Sequence, residues 1–308
     1  MKPKMLQQGD TIGVVAPSSP PDMVKLKHGF RIYEKYGLKM KLSPLIAQRE
    51  MYLAGTDEER AHNFMEMFLD PEVKGVFSAY GGYGSARMVE YLDFEGIQAN
   101  PKVFWGYSDS TFLHLALYQQ TGLVTFHGPM MSSDLGGEVD PLTELYLSQV
   151  MKPKIIIYDE SISPLYVINQ PAQPRTAPVI GGNLTLLISS LGTPFEINTL
   201  GKILFIEDVD EEPYRVDRMI NQLRMAGKLA QAEAVIIGDF HRCFPRKRTE
   251  SFSIEDILLH HVKKANVPAI GVMSAGHGNS TISFPLGANA TIDFDNKTIT
   301  FEPGLRGE

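Results

Sequence analysis

Short apolar runs alternate with longer amphipathic runs along the first half of this chain, and this alternation restricts the fold more than any other feature. Strands are predicted at Ile12–Val15, Gly75–Ser78 and Val103–Trp105, and helices at Asp22–Tyr36, Ala86–Leu92 and Phe112–Gln119. Such alternation predicts an α/β fold, in which a parallel sheet carries helices on both faces. Because ligands bind these sheets beyond the carboxyl ends of the strands, we expect functional residues directly after the strands.

The pattern changes at a proline-rich stretch between Met151 and Pro178, where five prolines interrupt any helix. We predict a linker at 161–178, a first domain at 1–160 and a second domain at 179–308. In the second domain the expected elements are strands Ile203–Ile206, Ala234–Ile237 and Ala269–Val272, helices Val216–Met225 and Ile254–Lys264, and a closing hairpin of Ala290–Phe294 and Thr298–Phe301. A chain of 308 residues, 43% of them hydrophobic, is long enough to bury two cores of this kind.

The composition excludes several classes of partner. A formal net charge of -7 and a pI near 5.7 leave no basic excess for a phosphate backbone, so we expect no nucleic acid partner. No run approaches the roughly 18 apolar residues that span a bilayer, and the apolar stretch Thr11–Ala16 is too short for a signal peptide. The single cysteine, Cys243, cannot form an internal disulfide. These features predict a cytoplasmic protein without a membrane partner.

The run Val103–Thr111 contains a strand pattern, a glycine and a serine before a helix. This is the pattern of a nucleophile elbow, in which a tight turn exposes the Oγ of Ser108. The N–H of Asp109 would then face the oxyanion that develops during acyl transfer. The alternative is a helix N-cap, in which Ser108 or Asp109 bonds the first free amides. The motif also departs from G-x-S-x-G, since Ser110 occupies its last position.

A serine nucleophile needs a base, and two histidines that follow strands compete for this role. His277 lies in a glycine-rich loop after the strand Ala269–Val272. His127 ends a strand-like run that begins at Thr125, so spacing alone does not exclude it.

The histidine in turn needs a carboxylate that holds its ring, and an acidic run begins where the strand Ile203–Ile206 ends. Glu207 is the first residue of this run and suits a buried partner of the base. Its neighbour Asp208 offers the same chemistry. The sequence pattern alone therefore leaves the choice between them open.

The glycine cluster Tyr80–Arg87 follows a strand and opens a helix. It fits a dinucleotide fingerprint only weakly, because Arg87 stands where the third glycine belongs. It suits an oxyanion hole better, since glycines let backbone N–H groups approach a ligand closely. Arg87 is a candidate for binding a substrate carboxylate, and a surface salt bridge is the alternative.

Metal and cysteine mechanisms have less support. The sequence contains no H-E-x-x-H motif, and one cysteine cannot build a thiolate zinc site, so we expect no metal ion. Cys243 follows a strand and has His241 nearby, which makes a cysteine nucleophile the weaker alternative.

Together these strings resemble the LD-carboxypeptidase family of serine peptidases, also called S66. The resemblance covers nearly the whole chain and is carried by residues 9–19 (GDTIGVVAPSS), 81–84 (GGYG), 106–109 (GYSD), 181–184 (GGNL) and 276–278 (GHG). It implies Ser108 as the nucleophile, Glu207 as the carboxylate and His277 as the base. Glu207 is thus preferred to Asp208. His277 is likewise preferred to His127.

The resemblance also implies an oxyanion hole formed by the N–H groups of Asp109 and a glycine of the GGYG loop, for which we choose Gly82. It implies a Rossmann-like, parallel-sheet N-terminal domain that carries the serine. A smaller, β-rich α/β C-terminal domain would carry the glutamate and the histidine. The implied reaction releases the terminal D-alanine of a murein tetrapeptide during cell-wall recycling, in a homodimer that needs no cofactor.

Two other functions stay open at this point. The same family includes microcin C self-immunity peptidases, which cleave a peptidyl or aminoacyl nucleotide and use a tryptophan-bearing loop to stack the base. The single tryptophan of this chain, Trp105, lies inside the strand before the elbow, which favours the murein substrate. A non-catalytic small-molecule binding protein would require the three triad residues to be a coincidence.

Overall fold

The computed structural model describes residues 1–246, 250–271 and 273–307. The chain forms two compact units, which we call the N-terminal and the C-terminal unit. The N-terminal unit comprises Met1–Lys154, Ile282–Gly287 and Pro303–Glu308. The C-terminal unit comprises Ile155–Thr281 and Ala288–Glu302.

Strands and helices alternate through most of the described chain. In chain order the strands are β1 Thr11–Val15, β2 Lys39–Leu42, β3 Val73–Ser78, β4 Val103–Gly106, β5 Thr125–His127, β6 Ile156–Tyr158, β7 Tyr166–Ile168, β8 Arg175–Asn183, β9 Ile203–Val209, β10 Ala234–His241, β11 Ala269–Gly271, β12 Phe284–Leu286, β13 Asn289–Asp293 and β14 Thr298–Phe301. The α-helices are α1 Met23–Glu34, α2 Asp57–Leu69, α3 Ser85–Met88, α4 Phe94–Ala99, α5 Thr111–Thr121, α6 Pro141–Leu147, α7 Leu184–Ser190, α8 Pro213–Met225, α9 Lys228–Gln231 and α10 Ile254–Ala265. Short 3₁₀ helices lie at Val89–Tyr91, Ser108–Ser110 and Ser148–Met151.

The sheet of the N-terminal unit has the strand order β12-β5-β4-β3-β1-β2. Strands β1 to β5 run parallel, and β12 pairs antiparallel with β5 at the edge. The predicted α/β class with a parallel sheet is therefore confirmed. The strand order reverses between β1 and β3, and doubly wound sheets bind their ligands beyond the carboxyl ends of such strands. Ser18 and Gly81 lie in the loops that follow these two strands.

Three stacked aromatic rings hold the middle of this sheet together. Trp105 on β4 stacks on Phe77 of β3 with ring centroids 5.6 Å apart, and on Phe126 of β5 with centroids 5.8 Å apart. Its indole N–H donates to the carbonyl of Pro129 at 2.9 Å, so the one polar atom of the ring is satisfied inside the core. The packing of Trp105 therefore fixes the strand that leads into the predicted elbow.

The sheet of the C-terminal unit has the strand order β6-β14-β13-β8-β9-β10-β11-β7. Its central strands β8 to β11 run parallel, and antiparallel strands flank them on both sides. The predicted closing hairpin is confirmed by the antiparallel pair β13 and β14. The predicted strand Ala269–Val272 is β11 as far as Gly271, whereas Val272 lies outside the described residues.

The predicted linker 161–178 contains strand β7 and the first residues of β8, and both pair within the second sheet. Prolines exclude a helix, but Pro178 is tolerated in β8 because the pairing of this strand with β9 begins only at the next residue. Segments 282–287 and 303–308 return to the N-terminal unit. The bounds of the compact units thus differ from those predicted for the domains, 1–160 and 179–308.

Gly181, in the GGNL string, allows two strands of the C-terminal unit to approach each other. It lies opposite Phe205 of β9 and has a φ of +123°, a conformation that side chains disfavour. A Cβ atom at this position would lie 2.0 Å from the carbonyl oxygen of Phe205. Two residues further on, Asn183 pairs with Glu207, so this approach sets the place of a predicted site residue.

We expect Gly181→Ala to lower the free energy of unfolding by at least about 3 kcal/mol, because backbone strain adds to a steric clash. Gly192→Ala is the matched control, since Gly192 also has a positive φ of +77° but no atom lies within 4 Å of the added Cβ. It should cost only about 1 kcal/mol. Urea unfolding of both variants measures the difference, and equal losses would contradict this account of the motif.

Candidate active site

The predicted strand, turn and helix around Ser108 are confirmed. Strand β4 ends at Gly106, a 3₁₀ turn spans Ser108–Ser110, and helix α5 begins at Thr111. Ser108 is half-buried and has a φ of 58°, which is rare for a residue with a side chain. Strain of this kind concentrates at functional sites and supports the elbow interpretation.

Close packing under the turn explains why residue 106 is glycine. A Cβ atom there would lie 2.9 Å from the Oγ of Ser110 and 3.0 Å from the Oγ of Ser78. The carbonyl of Gly106 accepts a hydrogen bond from His114 Nε2 at 2.9 Å, and His114 Nδ1 lies 2.8 Å from Thr125 Oγ1. Since a carbonyl only accepts, Nε2 carries the proton of the ring. Complete burial lowers the pKa of His114 to about 4, so this histidine is neutral and supports the turn.

The side chain of Asp109 joins three loops of the N-terminal unit. Its buried carboxylate accepts hydrogen bonds from Ser18 Oγ at 2.5 Å and from the N–H of Ser85 at 2.8 Å. The Oγ of Ser85 donates in return to the carbonyl of Asp109 at 2.6 Å. Burial raises the pKa of Asp109 above its usual value, although these hydrogen bonds oppose the shift. The carboxylate therefore fixes the backbone at the elbow instead of capping α5, a role that the sequence pattern did not suggest.

The glycine-rich loop approaches the serine at Gly81. A Cβ atom on Gly81 would lie 3.1 Å from the Oγ of Ser108. The next residue, Gly82, has a φ of +94°, and its added Cβ would lie 2.3 Å from the Oγ of Ser19. The N–H of Ser19 donates to the carbonyl of Gly81 at 3.1 Å and so ties the loops after β1 and β3 together. The structure thus places the predicted Gly82 directly beside the glycine that contacts Ser108.

Arg87 is engaged by a carboxylate of the protein itself. Its guanidinium donates from Nε at 3.0 Å and from Nη2 at 2.9 Å to Oδ2 of Asp57. Its side chain is 42% exposed. A substrate carboxylate would have to compete with Asp57, so the observed state is the surface salt bridge that the sequence left open.

Glu207 and His277 meet in the C-terminal unit. Glu207 is fully buried near the end of β9, and its Oε2 lies 2.7 Å from Nδ1 of His277. Because a carboxylate only accepts, Nδ1 carries a proton and Nε2 is left as the basic nitrogen of the neutral ring. This is the arrangement that a general base requires.

The loop of His277 fits closely against this carboxylate. Gly276 has a φ of +128°, and a Cβ atom there would lie 2.7 Å from Oε2 of Glu207. The N–H of Gly276 donates to Thr281 Oγ1 at 3.1 Å, which closes the loop on itself. Glycine at this position lets the backbone pass close to the glutamate without a steric clash.

Asp208 has a different environment from its neighbour Glu207. Its carboxylate accepts hydrogen bonds from Asn183 Nδ2 at 3.0 Å, from Thr185 Oγ1 at 2.9 Å and from the N–H of Thr185 at 3.0 Å. Burial, followed by the negative charge of Glu207, raises the pKa of Asp208 to about 6. Of the two acids, Glu207 is therefore the one bonded to His277.

The rival candidates have other environments. His127 is fully buried in the N-terminal unit, where its ring stacks on Phe284 with centroids 5.1 Å apart. Burial raises the pKa of Cys243 to about 12, so its thiol is a poor nucleophile. Within the part of the chain that the structure describes, no group of three His, Cys, Asp or Glu side chains could hold a metal ion. None of the described helices combines the length and apolar character needed to span a bilayer.

A strained serine after a parallel strand and a buried Glu–His pair are the parts of a serine hydrolase. Comparison with known proteins then shows that the chain belongs to the LD-carboxypeptidase family, peptidase family S66. The model of the LD-carboxypeptidase N-terminal domain matches residues 12–128, and the model of the C-terminal domain matches residues 176–292.

Individual relatives match over almost their whole length. The chain is 48% identical over 305 residues to a probable murein peptide carboxypeptidase of Bacillus subtilis. The matched region covers 99% of this chain and 95% of the relative. The structure of MccF in complex with glutamyl sulfamoyl guanosine matches with a TM-score of 0.88 at 28% identity, over 99% of both chains. Muramoyltetrapeptide carboxypeptidase from Oxalobacter formigenes matches with a TM-score of 0.82 at 27% identity, over 97% of this chain and 100% of that one.

The neutral state of His114 predicts a specific pH dependence of stability. The pKa of this residue is about 4 in the folded protein, against 6.5 for an unperturbed histidine, so only the unfolded state binds its proton between these values. The free energy of unfolding of the wild type, relative to that of His114→Gln, should therefore decrease by up to about 3 kcal/mol as the pH falls from 6.5 to 4. Urea unfolding at several pH values measures this difference, and a constant difference would disprove the assignment.

Proposed function

We propose that this protein is a serine-type LD-carboxypeptidase that hydrolyses the bond before the terminal D-alanine of a murein tetrapeptide. The observation that carries the proposal is the 2.7 Å hydrogen bond between buried Glu207 and His277, in a chain whose elbow presents Ser108. The substrate class is supported by the similar murein peptide carboxypeptidase of Bacillus subtilis and by the muramoyltetrapeptide carboxypeptidase structure.

In this proposal Ser108 attacks the scissile carbonyl while Nε2 of His277 takes the proton from its Oγ. The imidazole then gives this proton to the nitrogen of the departing D-alanine. Glu207 holds the ring through Nδ1 and stabilises the imidazolium, because its full burial leaves the carboxylate little screened by water. Water, activated by the same histidine, finally hydrolyses the ester on Ser108.

We assign the oxyanion hole to the N–H groups of Asp109 and Gly82. The close approach of Gly81 to the Oγ of Ser108 supports a donor from this loop. The N–H of Asp109 follows the nucleophile directly, and the hydrogen bonds that Asp109 makes with Ser18 and Ser85 hold its backbone in place. Donors fixed in advance stabilise the oxyanion without reorganisation during the reaction.

A second candidate function is hydrolysis of an aminoacyl nucleotide, which the structural similarity to MccF favours. Stacking of a nucleotide base needs an accessible aromatic ring. Trp105 is 1% exposed and lies between Phe77 and Phe126, so the tryptophan of this chain does not supply one. This burial favours the murein substrate.

The finer parts of the proposal concern the cellular context. As the family resemblance implies, we place the enzyme in the cytoplasm, in the recycling of cell-wall peptides, as a homodimer. Sedimentation of the purified protein tests the oligomeric state directly.

We expect Ser108→Ala to lower kcat for D-alanine release by at least about 10⁴-fold with little change in KM, because the nucleophile acts after binding. Ser161→Ala is the matched control, since this exposed serine donates to Asp159, a residue to which the proposal gives no role. Mass spectrometry of the tripeptide and of free D-alanine follows the reaction. Retained turnover in Ser108→Ala would remove this serine from the mechanism.

The same assay separates the two substrates. Purified wild-type protein is incubated with a murein tetrapeptide ending in D-alanine and, in parallel, with an aminoacyl sulfamoyl adenosine. We expect D-alanine release and no cleavage of the nucleotide analogue. Cleavage of the analogue alone, by a protein whose circular dichroism shows it folded, would transfer the proposal to the second candidate function.

A further inference from the structure

A third acidic residue, Asp239, lies against the loop that carries His277. It is near the end of β10, and its N–H donates to the carbonyl of Ala275 at 3.0 Å. The preceding residue is Gly238, where an added Cβ atom would lie 2.5 Å from the same carbonyl oxygen. The end of β10 and this loop are therefore in direct contact.

Two carboxylates lie close to the two glycines on either side of His277. A Cβ atom on Gly276 would lie 2.7 Å from Oε2 of Glu207. In the same way, a Cβ atom on Gly278 would lie 2.5 Å from Oδ2 of Asp239. The backbone N–H of Gly278 lies near enough to the Asp239 carboxyl to lower its pKa. The two glycines that flank His277 thus pack against Glu207 and Asp239.

The carboxyl of Asp239 is not explained by its role in packing alone. Among the described residues, its buried Oδ2 accepts no geometrically acceptable hydrogen bond, and neither does the buried Oε1 of Glu207. A buried oxygen of this kind costs about 1–3 kcal/mol, so each case calls for a reason.

The titratable groups that act on Asp239 are Glu207 on β9 and His277 on the adjoining loop. Burial, and then the negative charge of Glu207, raise the pKa of Asp239 to about 7, although the nearby N–H of Gly278 and the charge of His277 oppose this shift. Asp239 is therefore neutral in acid and ionised in weakly alkaline solution. This is the range in which a histidine base operates.

We propose that Asp239 is a positioning residue for His277: its carboxyl packs against the loop at Gly278 and, when ionised, adds a second negative charge that stabilises the imidazolium. The inference rests on the proposed function, because it assigns His277 as the base. In acid Asp239 takes up a proton, and Glu207 is then the single negative charge of this pair beside the ring. Activity gains the contribution of Asp239 as the pH rises through 7.

Asp239→Asn imitates the neutral form, because an amide has nearly the same shape as a carboxyl group and carries no charge. We expect the ratio of kcat for wild type and variant to increase about tenfold between pH 5.5 and 8.5, with a midpoint near pH 7. Asp159→Asn, at an exposed turn of the same unit, should leave this ratio constant.

A merely structural role would give a loss in Asp239→Asn that does not change with pH, and this result would overturn the proposal. A second measurement needs no substrate. The ring signal of His277, assigned by its loss in His277→Gln, is followed by NMR during a pH titration. Its midpoint should fall by about one pH unit in Asp239→Asn. An unchanged midpoint would overturn the inference.

The NMR result separates the two claims. If the midpoint shifts but wild-type protein releases no D-alanine, the proposed function fails and the charge coupling stands. If Asp239→Asn does not fold, the NMR signal of the Asp239 carboxyl carbon is followed instead, during a pH titration of labelled wild-type protein. A titration midpoint near pH 7 is then expected for this carbon, and a midpoint below about pH 4 would overturn the proposal.

Discussion

The hydrogen bond between Glu207 and His277 is the contact on which the proposed chemistry of the C-terminal unit depends. A fully buried carboxylate is costly unless a donor compensates it, and the Nδ1 proton of His277 is such a donor at 2.7 Å. Two glycines make the contact sterically possible. Gly181 lets β8 pass close to β9, and Gly276 lets the histidine loop pass the glutamate. One glycine from the GGNL string and one from the GHG string thus both help to place a carboxylate beside an imidazole.

In the N-terminal unit, too, a buried carboxylate fixes the backbone, here at the elbow that carries Ser108. Here the buried carboxylate of Asp109 bonds to the loops after β1 and β3, through Ser18 and Ser85, and holds the backbone of the elbow. Beneath the turn, neutral His114 supports the carbonyl of Gly106. In both units, then, buried ionisable side chains fix loops at the carboxyl ends of parallel strands. Rigid loops of this kind hold catalytic groups more precisely than flexible ones.

Features that depend on local pattern could be predicted from the sequence, and features that depend on distant contacts could not. The alternating runs predicted the parallel sheet, and the run to Ser108 predicted the turn, because both follow from hydrophobic period and glycine placement. The return of segment 282–287 to the first sheet follows from edge pairing with β5, which leaves no local signal. Glu207 and Asp208 point to opposite faces of one strand, and sequence alone does not say which face holds the histidine. The contacts of Asp239 are equally non-local.

The most direct test of the central claim compares Glu207→Gln with Asp208→Asn, since both remove one carboxylate from the same strand end. The account predicts that Glu207→Gln lowers kcat/KM for D-alanine release by about 10³–10⁴-fold, because the imidazole loses the group that orients it and stabilises its charge. Asp208→Asn should cost no more than about tenfold, since Asp208 bonds to Asn183 and Thr185 instead. Equal losses in the two variants, or a fully active Glu207→Gln, would contradict the account.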